Sequence, residues 1–242
     1  MKFLKPNWNA PQFVKCFTTQ IDNSCPSQDI NVCLKNSLDM ETSIRNRKKI
    51  QQTLGFKNQP AWLNQTHSPN CLNISHTTDR NADASVTQTI QQPLVIVTAD
   101  CLPIMICHQT EPEIAAIHAG WKGLFSGIIE QTCSHLSYPS NEYLVWFGPA
   151  ICVNCYPVSP EYRLEFLKKI PNSEKCFIQK QQWHFSLTQM AEQILTTQGI
   201  TQIYHSKECT FENQAFYSYR RSHGGPGRIA TFIWLEDVNE IT

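Results

Sequence analysis

The sequence predicts an α+β fold, a single compact domain over residues 1–242 in which mixed β-sheets are flanked by helices. Three observations carry that expectation. The apolar runs Leu94 to Cys101, Ile114 to Gly123 and Tyr143 to Phe147 are short and continuous, as in strands buried on both faces. Apolar positions at 124, 125, 128, 129, 133 and 136 recur at helical spacing. No internal repeat or low-complexity linker divides the chain, and 242 residues suffice for one substantial core.

Taken in order, residues 1 to about 40 read as irregular and polar, with few periodic signals. A helix is expected from about Ser43 to Leu54, stopped by Gly55. The segment from Pro60 to His67 reads as a short strand, because Trp62 and Leu63 sit beside turn formers. Residues 68 to 81 are loop-like, and Ala82 to Thr87 is a small-residue segment without a clear period. After the second apolar run, Gly120-Trp121-Lys122-Gly123 reads as a turn and residues 124–136 as one helix. Gly148-Pro149 closes the third strand. Ser159 is an N-cap with Pro160 at the first helical position, opening a helix to about Ile170. Ser186 and Gln189 form a capping box, with Gly199 as the stop, and Ile229 to Trp234 reads as the last strand.

Composition excludes several classes of function. Twenty basic and twenty acidic residues give a formal net charge of zero, so no electrostatic case exists for nucleic acid or an anionic membrane. No segment approaches the ~18 consecutive apolar residues of a membrane span. Met1 to Trp8 lacks the long apolar stretch of a secretory signal, which predicts a cytoplasmic protein. The eleven cysteines are then expected to stay reduced. The spaced pair Cys152-Val153-Asn154-Cys155 reads as structural thiols, because no second pair follows nearby in the sequence. Nothing in the chain indicates its oligomeric state.

The first two apolar runs each end on a side chain that can ligate metal. Strands side by side would place Cys101 and His118 at neighbouring strand ends. A catalytic zinc takes three protein ligands and keeps a fourth position open. The third donor is a choice among His67, His76, His108, His135, His184, His205 and His223. Chain position prefers His67, which ends its own strand-like segment.

Four separated motifs carry a resemblance. They are Thr98-Ala99-Asp100-Cys101-Leu102-Pro103, His118-Ala119-Gly120-Trp121-Lys122-Gly123, Gly148-Pro149-Ala150-Ile151 and Phe216-Tyr217-Ser218-Tyr219-Arg220-Arg221. In that order they resemble the laccase-domain family, from about residue 12 to 235. Its older name is multicopper polyphenol oxidase. Members are described as zinc-dependent purine nucleoside phosphorylases that also deaminate adenosine, and some bacterial members as peptidoglycan editing factors. The resemblance implies His67, Cys101 and His118 as zinc ligands, and Arg47 and Asp83 as pocket residues. It has departures. The family's Cys-Cys-Tyr-Glu-Val stands here as Asn154-Cys155-Tyr156-Pro157-Val158, so Pro157 replaces a glutamate. A glycine-rich N-terminal turn is poorly matched around Ile21 to Ser27.

The chemistry suits these residues. A thiolate and two neutral imidazoles leave a zinc unit with a charge near +1, enough to lower the pKa of bound water towards ~7. Deamination also needs a proton shuttle, for which Asp100 and Asp83 are the carboxylate candidates beside the catalytic pair Cys101 and His118. Phosphorolysis needs cations for phosphate, and Arg47, Lys122 and Arg220 lead the candidates, with Arg221 and Arg228 behind them. Gly120 and Gly123 let the backbone approach a ligand closely. The expected substrates are a purine nucleoside and phosphate, and the expected cofactor is Zn2+, with copper as the alternative ion. Copper oxidation of phenols is the runner-up function, opposed by eight histidines without one His-X-His pair. Two further alternatives remain: a hydrolase editing peptidoglycan precursors with Cys101 as nucleophile, and a purely structural metal site.

Overall fold

Turn formers separate the apolar runs, and the computed structural model, which describes residues 1–21, 30–34 and 39–237, folds those runs into three sheets. The six-stranded sheet runs, edge to edge, Gln202–His205, Tyr143–Phe147, Leu102–His108, Ile114–Ala119, Ala84–Thr87 and Cys71–Asn73. The five-stranded sheet runs Lys2–Leu4, Val14–Gln20, Ile229–Leu235, Leu94–Thr98 and Ala61–Trp62. A three-stranded sheet of Pro157–Val158, Trp183–Phe185 and Phe177–Gln179 stands apart. Antiparallel pairs dominate, with parallel pairs at Gln202–His205, Cys71–Asn73 and Ala61–Trp62. The result is one compact domain of mixed sheets and helices.

The two large sheets pack face to face, which explains the unbroken apolar runs. Along Leu102–His108, Ile104 and Ile106 join one core cluster with the helices, while Met105 and Cys107 join another with Leu94, Ile96, Ile233 and Leu235 of the facing sheet. Side chains alternate across a strand, so a strand covered on both faces needs apolar residues at every position. The outer face of the five-stranded sheet presents Val95, Ala230, Phe232 and Trp234 to Ile50 of the helix Met40–Leu54. Burying one such isoleucine stabilises the fold by about 1.5–3 kcal/mol. The layers therefore run helix, sheet, sheet, helix. No helix among the described residues is long and apolar enough to cross a membrane.

Several expected elements stand where the sequence places them. Gly55, at φ 69°, ends the first helix. Ser159 caps Pro160–Lys169 by accepting from the Tyr162 amide, and Ser186 caps Leu187–Thr197 by accepting from the Gln189 amide. Others differ. The first forty residues are not all irregular: Val14–Gln20 lies inside a sheet. Its polar Thr18 and Thr19 are buried and satisfied, Thr18 by the Thr231 hydroxyl at 2.9 Å and Thr19 by the Ala230 amide at 2.9 Å. The poorly matched turn lies, beyond Ile21, outside the described residues. Ala84–Thr87 is a buried strand, and only Ala61–Trp62 of the segment up to His67 is extended in a sheet. The expected helix over residues 124–136 starts earlier and is broken, into Trp121–Ser126 and Ile128–Cys133. Gly127 at φ 91° makes the break, because that conformation is free only to glycine.

The runs ending on Cys101 and His118 are not neighbours within one sheet. Leu94–Thr98 pairs with Ile229–Leu235 and Ala61–Trp62, whereas Ile114–Ala119 pairs with Leu102–His108 and Ala84–Thr87. The chain crosses between sheets at Ala99, Asp100 and Cys101. The crossing still brings the two side chains together, because Leu102 sits opposite Ala119 and Pro103 opposite His118.

Candidate metal centre and active-site cavity

Three elements deliver three donors. Cys101 caps the turn between the sheets, His118 stands near the end of its strand, and His67 comes from the loop after Ala61–Trp62. One ligand atom from each lies within 4.8 Å of the others. Cys101 Sγ is 3.8 Å from His67 Nε2, and the two imidazole rings meet edge to face with centroids 4.7 Å apart. Among the described residues this is the only such cluster containing histidine. Its thiolate, two-imidazole donor set fits a borderline-soft divalent ion with one position left for solvent or substrate.

Asp83 holds the cluster from behind. It is fully buried, and its carboxylate accepts from the His118 Nδ1–H at 2.7 Å. It also accepts from the backbone amides of Thr66, His67 and Ser68 at 3.1, 3.0 and 2.7 Å, and from the Ser68 hydroxyl at 2.8 Å. One side chain thus orients one histidine through its ring and another through its backbone. Occupying Nδ1 turns Nε2 of His118 towards Cys101. His67 itself has a positive φ of 63°, a conformation that a non-glycine residue keeps only when its surroundings insist. Gly120 completes the arrangement by having no side chain. A Cβ there would lie 2.9 Å from His67 Cδ2 and 3.0 Å from Cys101 Sγ. Gly123 packs instead on Ile128 and the His118 carbonyl.

The electrostatics follow from this crowding. Burial pushes the Cys101 thiol up, but His118 and His67 outweigh it and bring the thiol down to about 6. Burial pulls His118 down, but Cys101 and Asp83 raise it to about 9. Burial also opposes ionisation of Asp83, which its hydrogen bonds to His118 and Ser68 nevertheless hold at about 2. Without a metal the three groups therefore form a thiolate, imidazolium and carboxylate chain, and a cation that binds there displaces the His118 proton.

His67, Cys101 and His118 line a cavity of about 860 Å³, within the usual range for small-molecule sites. Trp62, Trp121, Tyr156 and Tyr219 supply aromatic walls, and Arg47, Arg80, Lys122, Arg220 and Arg228 supply cations. Arg47 lies over the Trp62 ring at 3.8 Å and donates to the Val32 carbonyl at 2.8 Å. Burial lowers its guanidinium to about 10, which leaves it charged at neutral pH. Arg220 sits 5.2 Å above the Tyr156 ring. The Arg221 guanidinium is spent on the carbonyls of Thr210, Phe211 and Phe216.

Asp100 also lines the cavity, at φ 82°. Its carboxylate accepts from the Thr210 hydroxyl and the Arg220 amide, each at 2.7 Å. Asp100 therefore ties the metal-side turn to the segment that carries Arg220. Thr210, Trp62 and Tyr156 were not singled out as site residues in the sequence. Thr210 has no local signal, since its role depends on a partner 110 positions away.

Comparison with known proteins gives a consistent answer. A family model described as multi-copper polyphenol oxidoreductase laccase matches residues 15–236. An Escherichia coli K12 protein named purine nucleoside phosphorylase YfiH is 35% identical over 97% of this chain and 99% of its own length. A Haemophilus influenzae protein named purine nucleoside phosphorylase is 33% identical over 98% of this chain and 100% of its own. A Neisseria meningitidis protein of known crystal structure aligns with a TM-score of 0.87 at 32% identity, over 98% of this chain and 100% of that one. The chain belongs to the laccase-domain family, the multi-copper polyphenol oxidoreductase laccases by the description of that family's model.

Proposed function

We propose that this protein is a zinc-dependent purine nucleoside phosphorylase, with His67, Cys101 and His118 as metal ligands and adenosine deamination as a second reaction at the same site. The observation that carries the reading is the set of three donors at the wall of a cavity that also holds aromatic rings and cations. The names of the Escherichia coli and Haemophilus influenzae relatives support the substrate class. A divalent ion held there supplies Lewis acidity and activates water at neutral pH. The rest falls to the chain's own residues.

In phosphorolysis a phosphate oxygen bonds to the anomeric carbon as the bond to the purine nitrogen breaks. The leaving purine keeps the electron pair and takes up a proton. Arg220, Lys122 and Arg47 hold the phosphate charge, and the aromatic walls hold the flat base. In deamination the oxygen of water replaces the amino group, which leaves as ammonia. Asp100 is the carboxylate that faces the cavity. Asp83 is a positioning residue, since its oxygens are already engaged by Thr66, His67, Ser68 and His118.

The test is incubation of metal-quantified protein with adenosine or inosine, with and without phosphate, followed by chromatography. Free base and ribose 1-phosphate should form only when phosphate is present, and Cys101→Ala should lose both the metal and the products. Full turnover in that variant would overturn the zinc reading. A second reading has an observation of its own: the Cys101 thiol, held at about 6 beside His118, has the character of an activated nucleophile. It requires turnover by metal-stripped wild-type protein. An oxidase with a trinuclear copper cluster lacks support, because the described residues bring no second histidine cluster together.

A further inference from the structure

A second group of metal-capable side chains lies behind the wall of the cavity. Cys152 precedes, and Cys155 ends, the 3-10 turn Val153–Cys155 that follows Gly148-Pro149. Their partner comes from far along the chain. Ala150 and Cys209 form an isolated parallel bridge, in which the Ala150 amide donates to the Glu208 carbonyl at 3.2 Å and the Thr210 amide to the Ala150 carbonyl at 3.1 Å. That bridge sets the Cys152 amide 3.3 Å from Cys209 Sγ. The Cys155 thiol donates to Glu212 Oε1 at 3.5 Å. One donor atom each from Cys152, Cys155, Cys209 and Glu212 lies within 4.8 Å of all the others.

We propose that Cys152, Cys155, Cys209 and Glu212 form a second metal site, one that binds a structural zinc ion. Three sulfurs and one carboxylate oxygen form a donor set for a borderline-soft ion that takes four ligands in a tetrahedron. Bond lengths of about 2.0–2.3 Å place tetrahedral ligand atoms roughly 3.3–3.8 Å apart, so no pair in the group needs to close by more than about 1 Å to reach an ion. The two-residue spacer between Cys152 and Cys155 is a spacing that zinc ligands commonly use. Four protein donors leave no position for substrate, which marks the site as structural. Cys209 is buried, whereas Glu212 is exposed and leaves the group an open side for the ion to enter.

The ion would stiffen the cavity. Ile151 and Tyr156, which bracket the cysteine pair, both line it. Thr210, next to Cys209, holds the Asp100 carboxylate. A cross-link there fixes the segment that carries Ile151 and Tyr156 to the one that carries Thr210. The site shares no ligand with the first, so its test stands apart from the proposed function.

The experiment measures zinc per chain in the full-length protein and records the zinc-edge X-ray absorption spectrum. Wild type should hold two equivalents, and Cys209→Ser and Cys101→Ala should each hold one. The zinc left in Cys101→Ala should be coordinated mainly by sulfur, and that left in Cys209→Ser mainly by nitrogen. If Cys209→Ser does not fold, Cys101→Ala carries the test, because it leaves the four donors intact. One equivalent in wild type with sulfur-rich coordination would mean that only the first site is empty, and would uphold the proposal. Zinc absent from Cys101→Ala, one nitrogen-rich equivalent in wild type, or a disulfide joining any two of the three cysteines would overturn it.

Discussion

The two walls of the cavity are built differently. The wall that holds His67, Cys101 and His118 is built from a loop, a turn and a strand, and is anchored by Asp83, a carboxylate with no solvent exposure and five hydrogen bonds. The wall that holds Arg220 ends in an exposed cation, and its connection to the first passes through Asp100, which accepts from the Arg220 amide and from Thr210. The strand under His118 and the carboxylate shared by His67 and His118 hold the donors in place, which ligation demands. A long cation such as Arg220 on a turn tolerates substrate entry and release, which turnover demands. On the proposed function, metal retention belongs to one wall and substrate affinity to the other.

That assignment can be broken most directly at Gly120. Its φ of −74° suits alanine, so only the missing space opposes a methyl group. Gly120→Ala should displace His67 or Cys101 and weaken metal retention by more than the ~10–100-fold that loss of an outer partner costs, as read by titration with a competing chelator. Full metal content would show that the ligands are looser than anchoring by Asp83 implies. Asp83→Asn comes next. It keeps the shape but loses the charge that orients His118, and metal affinity should fall by about 10–100-fold. An unchanged affinity would move the orienting role elsewhere. Arg220→Ala should have the smallest effect, an increase on the order of 10-fold in KM for phosphate with metal content unaltered. If it instead released metal, the two walls would act as one unit through Asp100.

Periodicity made much of the framework legible. Buried strands reveal themselves as apolar runs, and Gly55, Ser159, Pro160 and Ser186 announce helix ends through chemistry confined to a few neighbouring residues. The strand Val14–Gln20 escaped notice because Thr18 and Thr19 look like surface residues until their buried partners are known. Gly127 hid in an apolar stripe, since periodicity registers side chains and not the backbone angle that breaks the helix.

The site divides along the same line. The types of its donors, and the motifs that contain them, were properties of the sequence alone. Chain position preferred His67 as the third donor without excluding the other six histidines, and resemblance to a family pointed to the same residue. Tertiary structure alone decided that Cys101 reaches His118 by crossing between sheets, that Asp83 serves two histidines at once, and that Cys209 joins the pair at Cys152 and Cys155. The reason is physical. Local patterns are set by contacts within a few residues along the chain, whereas a binding site is set by which distant segments the hydrophobic core forces together.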